Sequence, residues 1–82
     1  MEQMSFGGAL EALRGGQSVA RQGWNAHHTL GVQVPDANSM NTLPYIYMVV
    51  GSDALDMKGA RVPWVASQTD LLAMDWFVVE LG

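Results

Sequence analysis

The chain has no cysteine, so neither a disulfide nor a thiolate metal site can staple it. Its imidazoles are confined to His27 and His28, too few for the four-ligand shell of a structural zinc. Cations are scarce as well: Arg14, Arg21, Lys58 and Arg61 stand against eight carboxylates, for a formal net charge of -4. Such a chain repels a nucleic acid backbone and carries no basic stripe to dock on it. No apolar run approaches the ~20 residues of a bilayer-spanning helix. The opening residues lack the basic-then-apolar order of a secretory signal. The expectation is a protein of the cytoplasm with no cofactor, no metal, no membrane partner and no nucleic acid polymer as partner.

What is present is a chain of 82 residues, read as a single domain over 1–82. A chain of this size buries only about 60–65% of its unfolded surface and has a thin core. With metals and disulfides excluded, self-association is the remaining support. The composition agrees: 49% hydrophobic and only 15% charged, against about 25% charged in an average domain. That balance leaves apolar surface for another subunit to cover.

Two segments read as helices. Ser5 is a suitable N-cap for Phe6 to Arg14, where Phe6, Ala9, Leu10 and Leu13 fall at helical spacing. Gly15 or Gly16 supplies the stop. Ser67 followed by Asp70 forms a capping-box pattern that opens a second helix, with Leu71, Leu72 and Met74 as its apolar residues. Between and after them lie strand signals: 18–21, 29–34, 44–50, a short one at 55–58, and 75–80. Gly59-Ala60 reads as a turn before Arg61-Val62-Pro63-Trp64. The order predicts an α+β domain, a small antiparallel sheet with two short helices on one side.

Nothing in the sequence makes a positive case for catalysis. The serines sit in cap or turn settings without a base to activate them. His27 and His28 are adjacent, so on a strand they point to opposite faces, and a solvated loop pair is the favoured reading. Asp53 with Asp56, or Asp70 with Asp75, could pair on paper. Capping explains Asp70 better, and solvated turns explain the others.

Binding has more support. Trp24 lies in Arg21-Gln22-Gly23-Trp24-Asn25. An aromatic face there could stack on a base, with Asn25 on a base edge and Arg21 on a phosphate. Equally, Trp24 could fill a core corner while Arg21 sits in a surface salt bridge, and the residues alone leave both readings open. The second candidate is Pro63-Trp64-Val65-Ala66-Ser67-Gln68-Thr69-Asp70, an aromatic beside a helix start whose amides favour an anion. Simple capping by Ser67 can coexist with that role. Trp76 reads as core. Tyr45 and Tyr47 share a strand face and suit a core or subunit contact.

These segments also carry a resemblance. Phe6…Ala9-Leu10…Leu13…Gly16…Val19-Ala20-Arg21…Gly23-Trp24-Asn25, with Pro63-Trp64…Ala66-Ser67-Gln68-Thr69-Asp70-Leu71-Leu72-Ala73…Asp75-Trp76, resembles the phage Thoeris anti-defence 2 family. The likeness spans nearly the whole chain and is weakest from residue 27 to 58. It implies a homotetrameric sponge that binds glycocyclic ADP-ribose, the signal made by Thoeris TIR-domain proteins, without degrading it. It also implies, for some relatives, uptake of cyclic dinucleotides made by cGAS-like enzymes at a separate site. Carried over, it makes Arg21, Trp24, Asn25, Trp64, Ser67, Gln68 and Thr69 the ligand-binding candidates, in a pocket between subunits. One departure stands out: the family commonly reads Trp-Asn-Gly, and here the third position is Ala26. The middle of the chain is also shorter and more apolar than the resemblance leads one to expect.

Overall fold

A computed structural model of the chain describes residues 2–24, 27–34, 43–51 and 59–79. Helix α1 spans Phe6–Arg14, with the Ser5 side chain accepting from the Gly8 amide. It ends where Gly16 takes a positive φ of 89°, the left-handed conformation that glycine adopts without a steric penalty. Among the described residues five strands follow: β1 Ser18–Arg21, β2 Thr29–Gln33, β3 Tyr45–Val49, β4 Arg61–Pro63 and β5 Trp76–Val79, with helix α2 Gln68–Leu72 between the last two. All four pairings are antiparallel and the order is β4-β3-β2-β1-β5. This is the α+β architecture expected from the sequence.

Two differences from the expected elements have physical reasons. Arg61–Pro63 pairs with β3 as an edge strand, a place where a proline lacking an amide donor is tolerated. Leu71, Leu72 and Met74 are 39%, 78% and 69% exposed, because α2 is a single turn and buries none of its residues. The strand expected at 55–58 lies outside the described residues. Among those described, no helix is long and apolar enough to cross a membrane.

The register divides the sheet into two unlike faces. Val19 pairs with Leu30 and with Val78, and Arg21 pairs with Trp76. These residues point to the side where α1 packs, and Ala9, Leu13, Val19, Leu30 and Trp76 form the fully buried cluster there. Alternate residues point the other way: Ala20 with its partner Phe77, Val79, Thr29, and Tyr47 with its partner Pro63. Among the described residues no helix covers that second face, and it is largely apolar. The second face also carries both tyrosines, Tyr45 pairing with Gln33 and Tyr47 with Gly31.

So thin a core makes each member costly to lose. Leu13 is 1% exposed, and Leu13→Ala is expected to lower folding stability by about 2–5 kcal/mol. Glu11→Ala, which removes an exposed pair with Arg14 at 3.5 Å, is expected to cost less than about 0.5 kcal/mol. Denaturant unfolding of the two variants checks the contrast.

Candidate functional site

The two segments singled out in the sequence meet at one residue, Asp70. Its carboxylate closes the capping box of α2: Asp70 Oδ2 accepts from the Ser67 amide at 3.2 Å, and Ser67 Oγ accepts from the Asp70 amide at 3.0 Å. The other oxygen, Oδ1, accepts from Arg21 Nη1 at 2.8 Å and from the Trp24 indole Nε1 at 3.3 Å. The Asp70 carbonyl accepts from the indole of Trp76 at 2.9 Å. One side chain thus ties the end of β1 and the following turn to the start of α2, across more than 45 positions of sequence.

Asp75 completes the clamp on Arg21. Its Oδ1 accepts from Arg21 Nε at 2.9 Å, and its Oδ2 accepts from the Gly23 amide at 2.9 Å. The register explains the placement, since Arg21 lies opposite Trp76, and Asp75 precedes it. Arg21 is therefore held between two carboxylates, with side-chain exposures of 14% for Arg21, 13% for Asp70 and 27% for Asp75. Such partly buried, charge-assisted bonds are stronger than exposed pairs.

The titration behaviour follows from this geometry. The Arg21 guanidinium is held above its ordinary range by its hydrogen bonds to Asp75 and Asp70. Burial pushes Asp70 upward, but the bonds from Arg21, the Ser67 amide and the Trp24 indole outweigh it and hold the carboxyl below its ordinary range. Asp75 is lowered chiefly by Arg21, against a smaller upward push from burial.

The tryptophans form a nest around Trp76. Its ring lies 5.3 Å from Phe6, 5.3 Å from Trp24 in an edge-on arrangement, and 6.0 Å from Trp64, also edge-on. Trp64 additionally meets Phe6 at 5.8 Å. Trp24 and Trp64 are both partly buried and pack against the core. In the single chain, Trp24 therefore occupies a core corner and Arg21 is engaged in ion pairs. Ser67, Gln68 and Thr69 are exposed beside that nest. The α2 start is a weak anion site taken by itself, because a one-turn helix has little dipole and the Asp70 carboxylate already sits on it. Asn25 lies outside the described residues, as does Ala26.

A hollow of about 360 Å³ opens next to this junction. Arg21 and Trp24 reach its rim, while Trp64 and residues 67–69 do not line it. Its floor is the sheet face opposite α1 at Ala20, Phe77 and Val79, and its walls include Gln22, His28 and Thr29. Among the described residues lining it there is no carboxylate, although the chain has eight. The volume is at the low end of the roughly 300–1,000 Å³ usual for small-molecule sites. A smaller hollow of about 70 Å³ lies near the opposite edge, where the Arg61 guanidinium sits 5.1 Å from the centre of the Tyr47 ring. No group of three or more metal-ligating side chains occurs among the described residues.

Three roles were not visible in the sequence. Asp75, read as a solvated turn residue, anchors Arg21 and the Gly23 amide. Phe77 floors the hollow. His28, read as a solvated loop residue, is half-buried, accepts the Gly51 amide on Nδ1 at 2.8 Å and lies edge-on to Trp24. Only the pairing register could have revealed them.

A pH dependence follows. Carboxylates held low stabilise the fold fully above the ordinary carboxylate pKa of about 4, and that contribution is lost as pH falls through the depressed folded values. Denaturant titrations at successive pH values should show stability dropping from about pH 4 downward. In the double variant Asp70→Asn/Asp75→Asn the fold should be weaker near neutrality and the acid drop shallower.

A family model described as a Thoeris anti-defense 2-like domain matches residues 4–79. The Thoeris anti-defense 2 protein of Bacillus phage SP01 is 39% identical over 85 residues, an alignment covering 94% of this chain and 96% of that protein. With its capping box, its paired tryptophan segments and this match along almost its full length, the chain belongs to the Thoeris anti-defense 2 family.

Proposed function

We propose that this protein acts as a phage anti-defence sponge: it binds glycocyclic ADP-ribose, the signal produced by Thoeris TIR-domain proteins, and holds it unchanged so that the effector stays off. The observation that carries this reading is the convergence on Asp70 of the Arg21–Trp24 segment and the Ser67–Asp70 segment, in a chain of this family. Aromatic faces, amide donors and a hollow with no carboxylate among its described lining residues suit a ligand with an adenine and two phosphates. Arg21 serves this site by positioning: its guanidinium is committed to Asp70 and Asp75, and it holds Trp24 through the Asp70 carboxylate that both bond.

Sequestration without turnover is supported by how the reactive groups are engaged. Ser5 and Ser67 accept backbone amides as caps, and Asp70 and Asp75 are held as carboxylates by Arg21. None of these arrangements activates a nucleophile.

The assembly in this reading is a homotetramer with ligand held between subunits. Two surfaces support self-association. One is the apolar sheet face opposite α1, which no helix among the described residues covers. The other lies around α2, where Val65 and Leu72 are 89% and 78% exposed. A hollow of about 360 Å³ is also small for the whole ligand, so residues of a neighbouring subunit would complete the enclosure. Trp64, Gln68 and Thr69, which lie outside that hollow, would contact ligand held by the neighbour.

A second reading is uptake of cyclic dinucleotides at a separate site. The Arg61–Tyr47 pair favours it, since a cation stacked on an aromatic beside Gln33 and Tyr45 suits a base next to a phosphate.

Capture and release tests both readings. Purified protein is mixed with glycocyclic ADP-ribose isomers and cyclic dinucleotides, filtered, heat-denatured, and the released compounds are identified by mass. Intact glycocyclic ADP-ribose is expected, and Trp24→Phe, which keeps a ring but loses the bond to Asp70, is expected to bind about tenfold or more weakly while remaining folded. Release of an altered mass would replace the sponge with an enzyme. Retention of nothing would remove the small-ligand reading and leave a structural oligomerisation module.

A further inference from the structure

His28 is built into the wall of the larger hollow in a way that its packing alone does not require. The register continues beyond β2 and β3, where Thr29 lies opposite Val49, and brings His28 beside the end of β3. There the Gly51 amide donates to His28 Nδ1 at 2.8 Å. An amide donor can be accepted only by an unprotonated ring nitrogen, so this bond selects the tautomer with its proton on Nε2. The fit is tight on the backbone side as well. A Cβ on Gly51 would lie 2.5 to 2.7 Å from backbone atoms of His27, so no larger residue fits without moving the chain. The Trp24 ring limits the imidazole on another side, edge-on at 6.3 Å between centroids.

The ring is therefore fixed at Nδ1 and presents an N–H at Nε2, for which the described residues supply no partner. His28 lines the hollow together with Gln22 and Thr29, whose amide and hydroxyl can also donate. Arg21 at the rim is committed to two aspartates that lie outside the lining. The hollow is thus a donor-bearing pocket over an apolar floor that includes the Phe77 ring, with no carboxylate among its described lining residues. Those are the features that accept an oxyanion whose attached ring system lies on the floor.

We infer that His28 is a ligand-binding residue of this site, its Nε2–H donating to a phosphate oxygen of a nucleotide ligand whose base or ribose rests on Ala20, Phe77 and Val79. The inference rests on the sponge reading for the identity of the ligand and on the Gly51–His28 geometry for the donor. Histidine is used there because a single side chain accepts the backbone amide on one nitrogen and donates to the ligand from the other.

The test exploits this division. In His28→Asn the side-chain oxygen can take the place of Nδ1 and keep the Gly51 bond, but nothing reaches the position of Nε2. Binding of glycocyclic ADP-ribose is measured for wild type and variant. In parallel, the imidazole ¹⁵N resonances of the wild type are followed on addition of ADP-ribose, a probe independent of the immune signal. Protection of the Gly51 amide from exchange reports that the fold around position 28 is kept. The expected result is a protected Gly51 amide in both proteins, binding about ten- to hundredfold weaker in the variant, and a shift of Nε2 with ADP-ribose. Unchanged affinity in His28→Asn would overturn the inference and leave the sponge standing. A wild type that ignores glycocyclic ADP-ribose but shows the Nε2 shift with ADP-ribose would sink the sponge and keep the site. Neither retention nor shift would end both.

Discussion

The bracketing of Arg21 between Asp70 and Asp75 is the interaction on which the rest of the site depends. The core is small, with α1 over one face of the sheet and a one-turn helix that buries nothing of its own. Something other than apolar area must hold α2 and the turn after β1 against each other. The guanidinium does so with its Nε on one carboxylate and its Nη1 on another. A lysine could offer one point charge but not this fork. The same two carboxylates also take the Gly23 amide and the Trp24 indole. One cation thereby sets the course of the turn and the attitude of the aromatic ring that follows it.

This arrangement gives the two tryptophan segments a shared logic. Trp24 and Trp76 both donate their indole N–H groups to Asp70, one to the carboxylate and one to the carbonyl. Each ring meets the other edge to face, the arrangement aromatic pairs prefer. An indole is costly to bury with its N–H unpaired, and here both are paired. The rim of the hollow is consequently held at Trp24 by a hydrogen bond and a ring contact, while its floor is the sheet face opposite α1. A pre-set rim lowers the ordering cost of holding a ligand, as the proposed sponge reading requires.

Much of the fold was legible in the sequence because its signals are local. The Ser5 cap, the Ser67–Asp70 capping box and the strand signals of β1, β2, β3 and β5 each depend on residues a few positions apart. The class of the fold followed from their order. Arg61–Pro63 escaped notice because its strand character comes from pairing with β3, not from its own composition. The site was legible only as two separate segments. That Asp70 serves the cap and the Arg21–Trp24 segment together is a long-range fact. His28 could not be recognised because its partner, Gly51, is set by the register of β2 on β3. The two readings left open for Trp24 also merge, since the same ring packs on Trp76 and reaches the rim of the hollow.

The most direct measurement is a double-mutant cycle on folding stability between Arg21→Met and Asp70→Asn, with Arg21→Met and Asp75→Asn as a second cycle. If Arg21 organises the site through both carboxylates, each cycle should give a coupling of about 1–3 kcal/mol, since contacting charged partners do not act independently. Additivity within about 0.3–0.5 kcal/mol in both cycles would contradict the account and place Arg21 outside the framework that holds Trp24.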